Sequence, residues 1–253
     1  MSWLERLSIA SFRRHGHPVE VYSFDPVEGL PDGAVARDAA DILPRDKLVF
    51  YKGKGTPGVF SDYFRLCLMQ QERGVYADLD VYCLRPFADP PPYFMGYERT
   101  GSINNAILAI PSDAPLLTDL LGIFDSVDRP LLEPHLPLGR RLEVAARRIL
   151  GDPVRPENMQ FGATGPFALT YYIRQRGLEH FVQQRSVFYP IPYEGIPALM
   201  QPGSSIDPAI GPDTLAVHLW RSQLTRRGRA DMPLPLPGSA MAELCAREGI
   251  ALD

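Results

Sequence analysis

Cysteine is scarce. The three in the chain, Cys67, Cys83 and Cys245, are widely spaced and odd in number. No two have zinc-ligand spacing and the set makes no disulfide framework, so the count fits a reducing compartment. A long apolar run is also missing. The opening MSWLERLSIASFRRHGH mixes charge into its apolar residues, which gives neither a signal-peptide core nor a membrane span, and no spanning segment follows. A cytoplasmic location is expected. With a net charge of -4 and no long basic stripe, nucleic acid is excluded as the main partner. The one local exception, Arg221, Arg226, Arg227 and Arg229, suits an anionic acceptor, peripheral contact with a lipid membrane surface, or a solvated loop. Internal repeats and long low-complexity linkers are absent as well.

What is present is ordinary globular composition, 45% hydrophobic and 22% charged over 253 residues. Such a chain buries its core without disulfides or a structural metal, and a single domain over 1–253 is expected. Ser2-Trp3-Leu4-Glu5 has the form of a capping box and predicts a helix to about Arg14, ended by His15-Gly16-His17-Pro18. Val19 to Phe24 reads as a strand, and residues 25–57 as irregular. Thr56-Pro57 opens a helix with apolar residues at 59, 60, 63, 64, 67 and 68, which places Asp62 and Arg65 together on the opposite face. Val75 to Tyr82 reads as a strand. Further strands are expected at Phe94 to Tyr97, Ala106 to Ile110 and Thr214 to Trp220. Helices are expected near Pro115 to Phe124, Leu138 to Leu150 and Pro166 to Arg176, and from about Ser239. Interleaved helices and strands predict an α/β fold with a mostly parallel, helix-covered sheet.

Alternation along the strand puts Asp78 and Asp80 on one side, where two carboxylates need solvent or a cation. A hard divalent ion with oxygen ligands is the economical solution. The spacing by itself is common and more often describes a solvated turn. Asp62 and Arg65, neighbours on a helix face, can bind hydroxyls and phosphate oxygens directionally, or simply form an exposed ion pair.

The run SDYFRLCLMQQERGVYADLDVYCLRPF, residues 61 to 87, resembles the core of the DXD-containing sugar-transferase family. That family includes glycosyltransferase family 32, α-1,4-galactosyltransferases and initiating mannosyltransferases. Ser61, Asp62, Arg65, Gly74, Tyr76, Asp78 and Asp80 match its pattern in order and spacing. LSIASFRRHGHPVEVYSF, INNAILAIPSDAPLL, GATGPFALT and AVHLW resemble its other landmarks. The resemblance implies a GT-A-like, Rossmann-type fold and transfer of a hexose from a UDP- or GDP-sugar to a saccharide or glycolipid acceptor. It also implies Mn2+ or Mg2+, and retention of configuration by front-face attack.

Carried over residue by residue, the resemblance makes Asp78 and Asp80 the clamp on metal and diphosphate. Asp62 and Arg65 would hold the donor sugar, with Asp62 the fallback nucleophile. His218 would complete the metal site, and Trp220 would stack on sugar or cover the diphosphate. Tyr76 reads as a donor contact or as core. Asn105 reads as a partner for sugar hydroxyls or a turn lock, and Asn104 more as a turn lock. Gly165-Pro166 would aim a helix N-terminus at the acceptor, whose other contacts are expected in 125–160 and 190–212. The family opens with a strand and a tryptophan-containing turn that meets the base, whereas this sequence begins at the helix expected next, with Trp3. An inactive or accessory nucleotide-sugar-binding protein therefore stands as the alternative. A haloacid-dehalogenase-like phosphatase shares the Asp-x-Asp, but the later lysine and acidic-pair motifs and the expected threonine are missing.

Overall fold

The computed structural model of the protein describes residues 1–50, 56–124, 134–151, 154–159, 161–225 and 232–252. Its elements are α1 (Trp3–Arg14), β1 (Val19–Ser23), β2 (Ala34–Asp38), α2 (Gly58–Gln70), β3 (Tyr76–Ala77), β4 (Val81–Cys83), β5 (Phe94–Arg99) and β6 (Ser102–Ala109). They continue with α3 (Pro115–Gly122), α4 (Leu138–Ile149), α5 (Pro166–Gln175), α6 (Arg185–Phe188), β7 (Ala216–His218), α7 (Arg221–Leu224) and α8 (Ala240–Arg247). The class is mixed α/β. The expected single, mostly parallel sheet is replaced by small ones: β1 and β2 run parallel, whereas β4 with β7 and β5 with β6 run antiparallel.

The chain forms two compact units, one of Met1–Asp38, Ala77–Asp89 and Gln184–Asp253, the other of Ala39–Tyr76 and Pro90–Gln183. In the first, α1 starts as its capping box requires, with Ser2 N donating to Glu5 Oε2 at 2.6 Å. It stops at Gly16, whose φ of 81° suits glycine. The helix buries Trp3, Leu4, Leu7 and Ile9, and full burial of a leucine stabilises by roughly 1.5–3 kcal/mol. Trp3 lies in the core, its indole donating to the Pro233 carbonyl at 3.0 Å. Tyr82, Val217, Leu219, Met241 and Leu244 join the same apolar cluster.

Two serines fasten α1 to β4. Ser8 Oγ donates to Val81 O at 2.7 Å, and Ser11 Oγ accepts from Cys83 N at 2.9 Å. The strand expected over Val75 to Tyr82 is in fact two, β3 and β4, separated by a turn at Leu79–Asp80. β2 falls inside the stretch expected to be irregular. It is mostly exposed, so it lacks the alternation that announces a half-buried strand.

In the second unit, β6 is the centre of a three-stranded sheet of order β3–β6–β5. Ile103, Asn104, Asn105, Ala106, Ile107 and Leu108 of β6 are all buried. Helix α5 packs on this strand, where Thr170 Oγ1 accepts from Ile103 N at 2.9 Å. α3 packs on α2 and on α5. Among the described residues, no helix is long and apolar enough to cross a membrane.

Candidate functional site

β4 and β7 pair with Val81 opposite His218, and the ladder extends through Leu219 N donating to Asp80 O at 2.7 Å. This register brings the ends of two sequence-distant segments together. His218 Nε2 lies 3.0 Å from Asp80 Oδ1, and the first amide of α7, Arg221 N, donates to Asp80 Oδ2 at 2.7 Å. Burial works against the Asp80 charge. His218, by charge and hydrogen bond, and the Arg221 amide outweigh it and hold the carboxyl below the ordinary carboxylate range. Arg221 also pairs through its guanidinium with Glu5 at the start of α1, which anchors the loop that carries the amide.

Asp78, Asp80 and His218 each offer a ligand atom, all within 4.8 Å of one another. The three meet through a turn and a strand pairing, which corrects the expectation of alternation along one continuous strand. Two carboxylate oxygens with one imidazole nitrogen fit a divalent ion, the carboxylates matching Mg2+ or Mn2+ and the imidazole shifting preference toward the transition metal. Trp220 packs beside His218, its ring centroid 4.0 Å from that of the imidazole. It sits in the left-handed region at φ 47°, a conformation costing a tryptophan about 1–2 kcal/mol. Its indole Nε1 is buried without a hydrogen-bond partner among the described residues. A buried donor of this kind calls for an acceptor, and the described residues supply none. Tyr189 and Tyr193 add edge contacts to the Trp220 and His218 rings.

Asp62 and Arg65 belong to the second unit and do not form the exposed pair that helical spacing allows. Both are buried, at 8% and 5% exposure, because partners distant in sequence receive them. Asp62 accepts from Asn105 Nδ2 and from Thr164 Oγ1, each at 2.8 Å. Arg65 donates to the Asn105 carbonyl and to Ser61 Oγ at 2.8 Å, and its guanidinium lies 4.5 Å from the Tyr76 ring centroid. Arg65 Nη2 and Asp62 Oδ1 are 3.7 Å apart. Burial drives the Asp62 carboxyl above its ordinary value, with Arg65, Thr164 and Asn105 pulling the other way. Gly165 closes over this cluster at the start of α5, and a small cavity is lined by Asp62, Leu66, Asn105, Thr164, Gly165 and Leu169.

No family model and no curated protein matches this sequence. The geometry therefore carries the functional reading.

Thr164 is the site residue that sequence reasoning missed. The GATGPFALT landmark contains it, but nothing local shows that its hydroxyl meets Asp62. Asn104 is structural, donating to Glu98 at 2.7 Å and accepting from Ala106 N at 2.8 Å. Of the arginine cluster near the C-terminus, Arg221 is tied to Asp80 and Glu5, while Arg226, Arg227 and Arg229 lie outside the described residues. The same holds for 125–133, 152–153 and 160 within the segments expected to meet an acceptor. The three cysteines are free and buried, and burial pushes their thiols up to about 11 for Cys67 and about 12 for Cys83 and Cys245.

Proposed function

We propose that the protein is a metal-dependent glycosyltransferase of GT-A-like, Rossmann-type fold, moving a hexose from a UDP- or GDP-sugar to a saccharide or glycolipid acceptor. The observation that carries the reading is the Asp78, Asp80 and His218 cluster, with Trp220 packed beside His218 and its indole N–H unpartnered among the described residues. Mn2+ or Mg2+ bound there supplies positive charge against a leaving nucleoside diphosphate. Asp78, Asp80 and His218 would hold the ion, and the Arg221 amide keeps Asp80 ionised for that task. Trp220 Nε1 is available to a phosphate oxygen, and its ring to the sugar.

In the second unit, Asp62 and Arg65 are rigidly oriented by Asn105, Thr164 and Ser61. Such preorganised groups suit hydroxyl and phosphate recognition. A carboxyl driven upward by burial and already accepting two hydrogen bonds is a poor nucleophile, which favours front-face attack with retention over a covalent intermediate on Asp62. The phosphatase reading gains nothing from the fold. Tyr82 stands four positions after Asp78, buried, with its hydroxyl bonded to Glu248 at 2.7 Å.

A second reading rests on Asp80 itself, both of whose oxygens already have protein donors. A carboxylate so satisfied also fits a non-catalytic nucleotide-sugar-binding protein. A screen of UDP- and GDP-sugars by thermal shift, with and without Mn2+, tests both readings, because a ligand selective for the folded chain raises its apparent stability. The transferase reading expects a metal-dependent rise and slow release of nucleoside diphosphate from the same donor. The binding reading expects the rise without release, and no response to any donor contradicts both.

A further inference from the structure

Glu5, Ser8 and Ser11 recur at a spacing of three along α1, so each is the neighbour of the next on the helix surface. Ser8 and Ser11 are buried and bond to β4. That strand continues from the turn carrying Asp78 and Asp80, which is closed by Val81 N donating to Asp78 O at 3.1 Å. Glu5 reaches the other half of the cluster. Its two oxygens are divided between two donors: Oε2 accepts from Ser2 N at 2.6 Å, which completes the capping box, and Oε1 accepts from the Arg221 guanidinium. Ser2 Oγ lies 3.4 Å from the same Arg221 nitrogen.

Arg221 thus connects the start of α1 to Asp80 through two of its groups. Its side chain pairs with Glu5, and its main-chain amide donates to Asp80 Oδ2 at 2.7 Å. Between this amide and the bond from Leu219 N to Asp80 O lies Trp220, in a left-handed conformation that persists where its surroundings fix it. α7 itself is four residues long, with Leu224 anchoring its far end in the core. The near end, where the amide must meet the carboxylate, is the end that Glu5 holds. A donor placed in this way fixes which direction the remaining lone pairs of Asp80 face, and outer partners of this kind tune a metal ligand.

We propose that Glu5 is a positioning residue for the metal cluster: by holding Arg221 it fixes the amide that orients Asp80, and it couples the first turn of α1 to ion binding. The proposal rests on the metal assignment and adds to it a residue outside the ligand set. Coupling of this kind is reciprocal. An ion that requires Asp80 in place therefore also tightens the Arg221–Glu5 pair and the capping box behind it.

Glu5→Gln separates the two duties of the side chain. A glutamine still serves a capping box, but with its one oxygen on Ser2 N it turns an NH2 group toward Arg221. Arg221→Met removes the guanidinium and keeps the main-chain amide. With 22% and 40% of their side chains exposed, Glu5 and Arg221 can be replaced without opening the core. Loss of a direct partner of a metal ligand costs about 10–100-fold in affinity, and for this more remote contact calorimetric titration with Mn2+ is expected to show at least about a threefold loss in each variant. The double variant is expected to lose no more than either single one, since both act through one contact. In the parent chain Mn2+ is expected to slow hydrogen exchange at the start of α1, and Glu5→Gln to remove that protection. A parent chain that binds no Mn2+ overturns the metal assignment and this proposal together. Binding by the parent with equal affinity in a folded Glu5→Gln overturns the positioning role alone, and so do additive losses in the double variant or exchange at α1 that ignores the ion. Arg221→Met decides the matter if Glu5→Gln fails to fold.

Discussion

Asp80 and His218 stand 138 positions apart in the chain, yet their side chains meet at 3.0 Å. The Val81–His218 register of two three-residue strands fixes this meeting, and the serine stitches from α1 hold one of those strands in place. An ion shared by these two side chains replaces the hydrogen between them, so ligation requires the imidazole nitrogen to be free of its proton.

Arg65→Ala tests the buried cluster of the second unit. Removing one partner of a buried pair leaves the other charge uncompensated, and a loss of about 3–5 kcal/mol is expected in urea unfolding. The loss depends on pH. The Asp62 carboxyl is already raised in the folded state, and without Arg65 it rises further. A group raised on folding contributes most below its unfolded value and loses that contribution as pH climbs through the folded one. The variant is therefore expected to recover part of its deficit toward the acid end of the ordinary carboxylate range, and a deficit independent of pH contradicts this assignment.

Gly165→Ala probes how tightly the same cluster is closed. An added Cβ would lie 2.6 Å from Asp62 Oδ1, 2.7 Å from Oδ2 and 2.8 Å from Asn105 Nδ2. Those atoms are pinned by one another and by Thr164, so they cannot swing away as a free side chain would. A destabilisation of about 1–3 kcal/mol is expected from overpacking. Thermal unfolding checks it, and an unchanged midpoint means that the cluster is looser than described.

Much of this organisation was legible in the sequence. The capping box at Ser2 announces its helix through local chemistry, whereas Thr56 does not cap α2, which starts at Gly58 after Pro57. The three-residue grouping of Asp78, Asp80 and His218 was also expected, from the Asp-x-Asp and AVHLW segments. The turn at Leu79–Asp80 was not, since Ala77-Asp78-Leu79-Asp80-Val81 satisfies strand alternation just as well. Burial of Asp62 and Arg65 escaped for a different reason. Helical periodicity assigns polar residues to the solvent side, and only Asn105 and Thr164, 43 and 102 positions from Asp62, make their burial affordable.

Tyr82 supplies an alkaline signature of the first unit. Burial, and after it the Glu248 carboxylate that accepts its hydrogen bond, together push its phenol up to about 12. An unfolded tyrosine titrates near pH 10. The folded value is the higher one, so the stabilisation is complete below about pH 10 and disappears as pH rises through about 12. Tyr82→Phe is expected to cost about 1–2 kcal/mol at neutral pH, with the gap to the parent closing above about pH 10. Ultraviolet titration of the phenol provides the direct check, and an onset near pH 10 in the folded chain contradicts the account.

The central claim is that Asp78, Asp80 and His218 share one divalent ion, and calorimetric titration of the chain with Mn2+ tests it most directly. The account predicts one ion per chain, with affinity weakened at least about tenfold in both Asp78→Asn and His218→Gln, while circular dichroism shows both variants folded. A parent chain that binds no Mn2+, or folded variants that bind it as tightly as the parent, would contradict it.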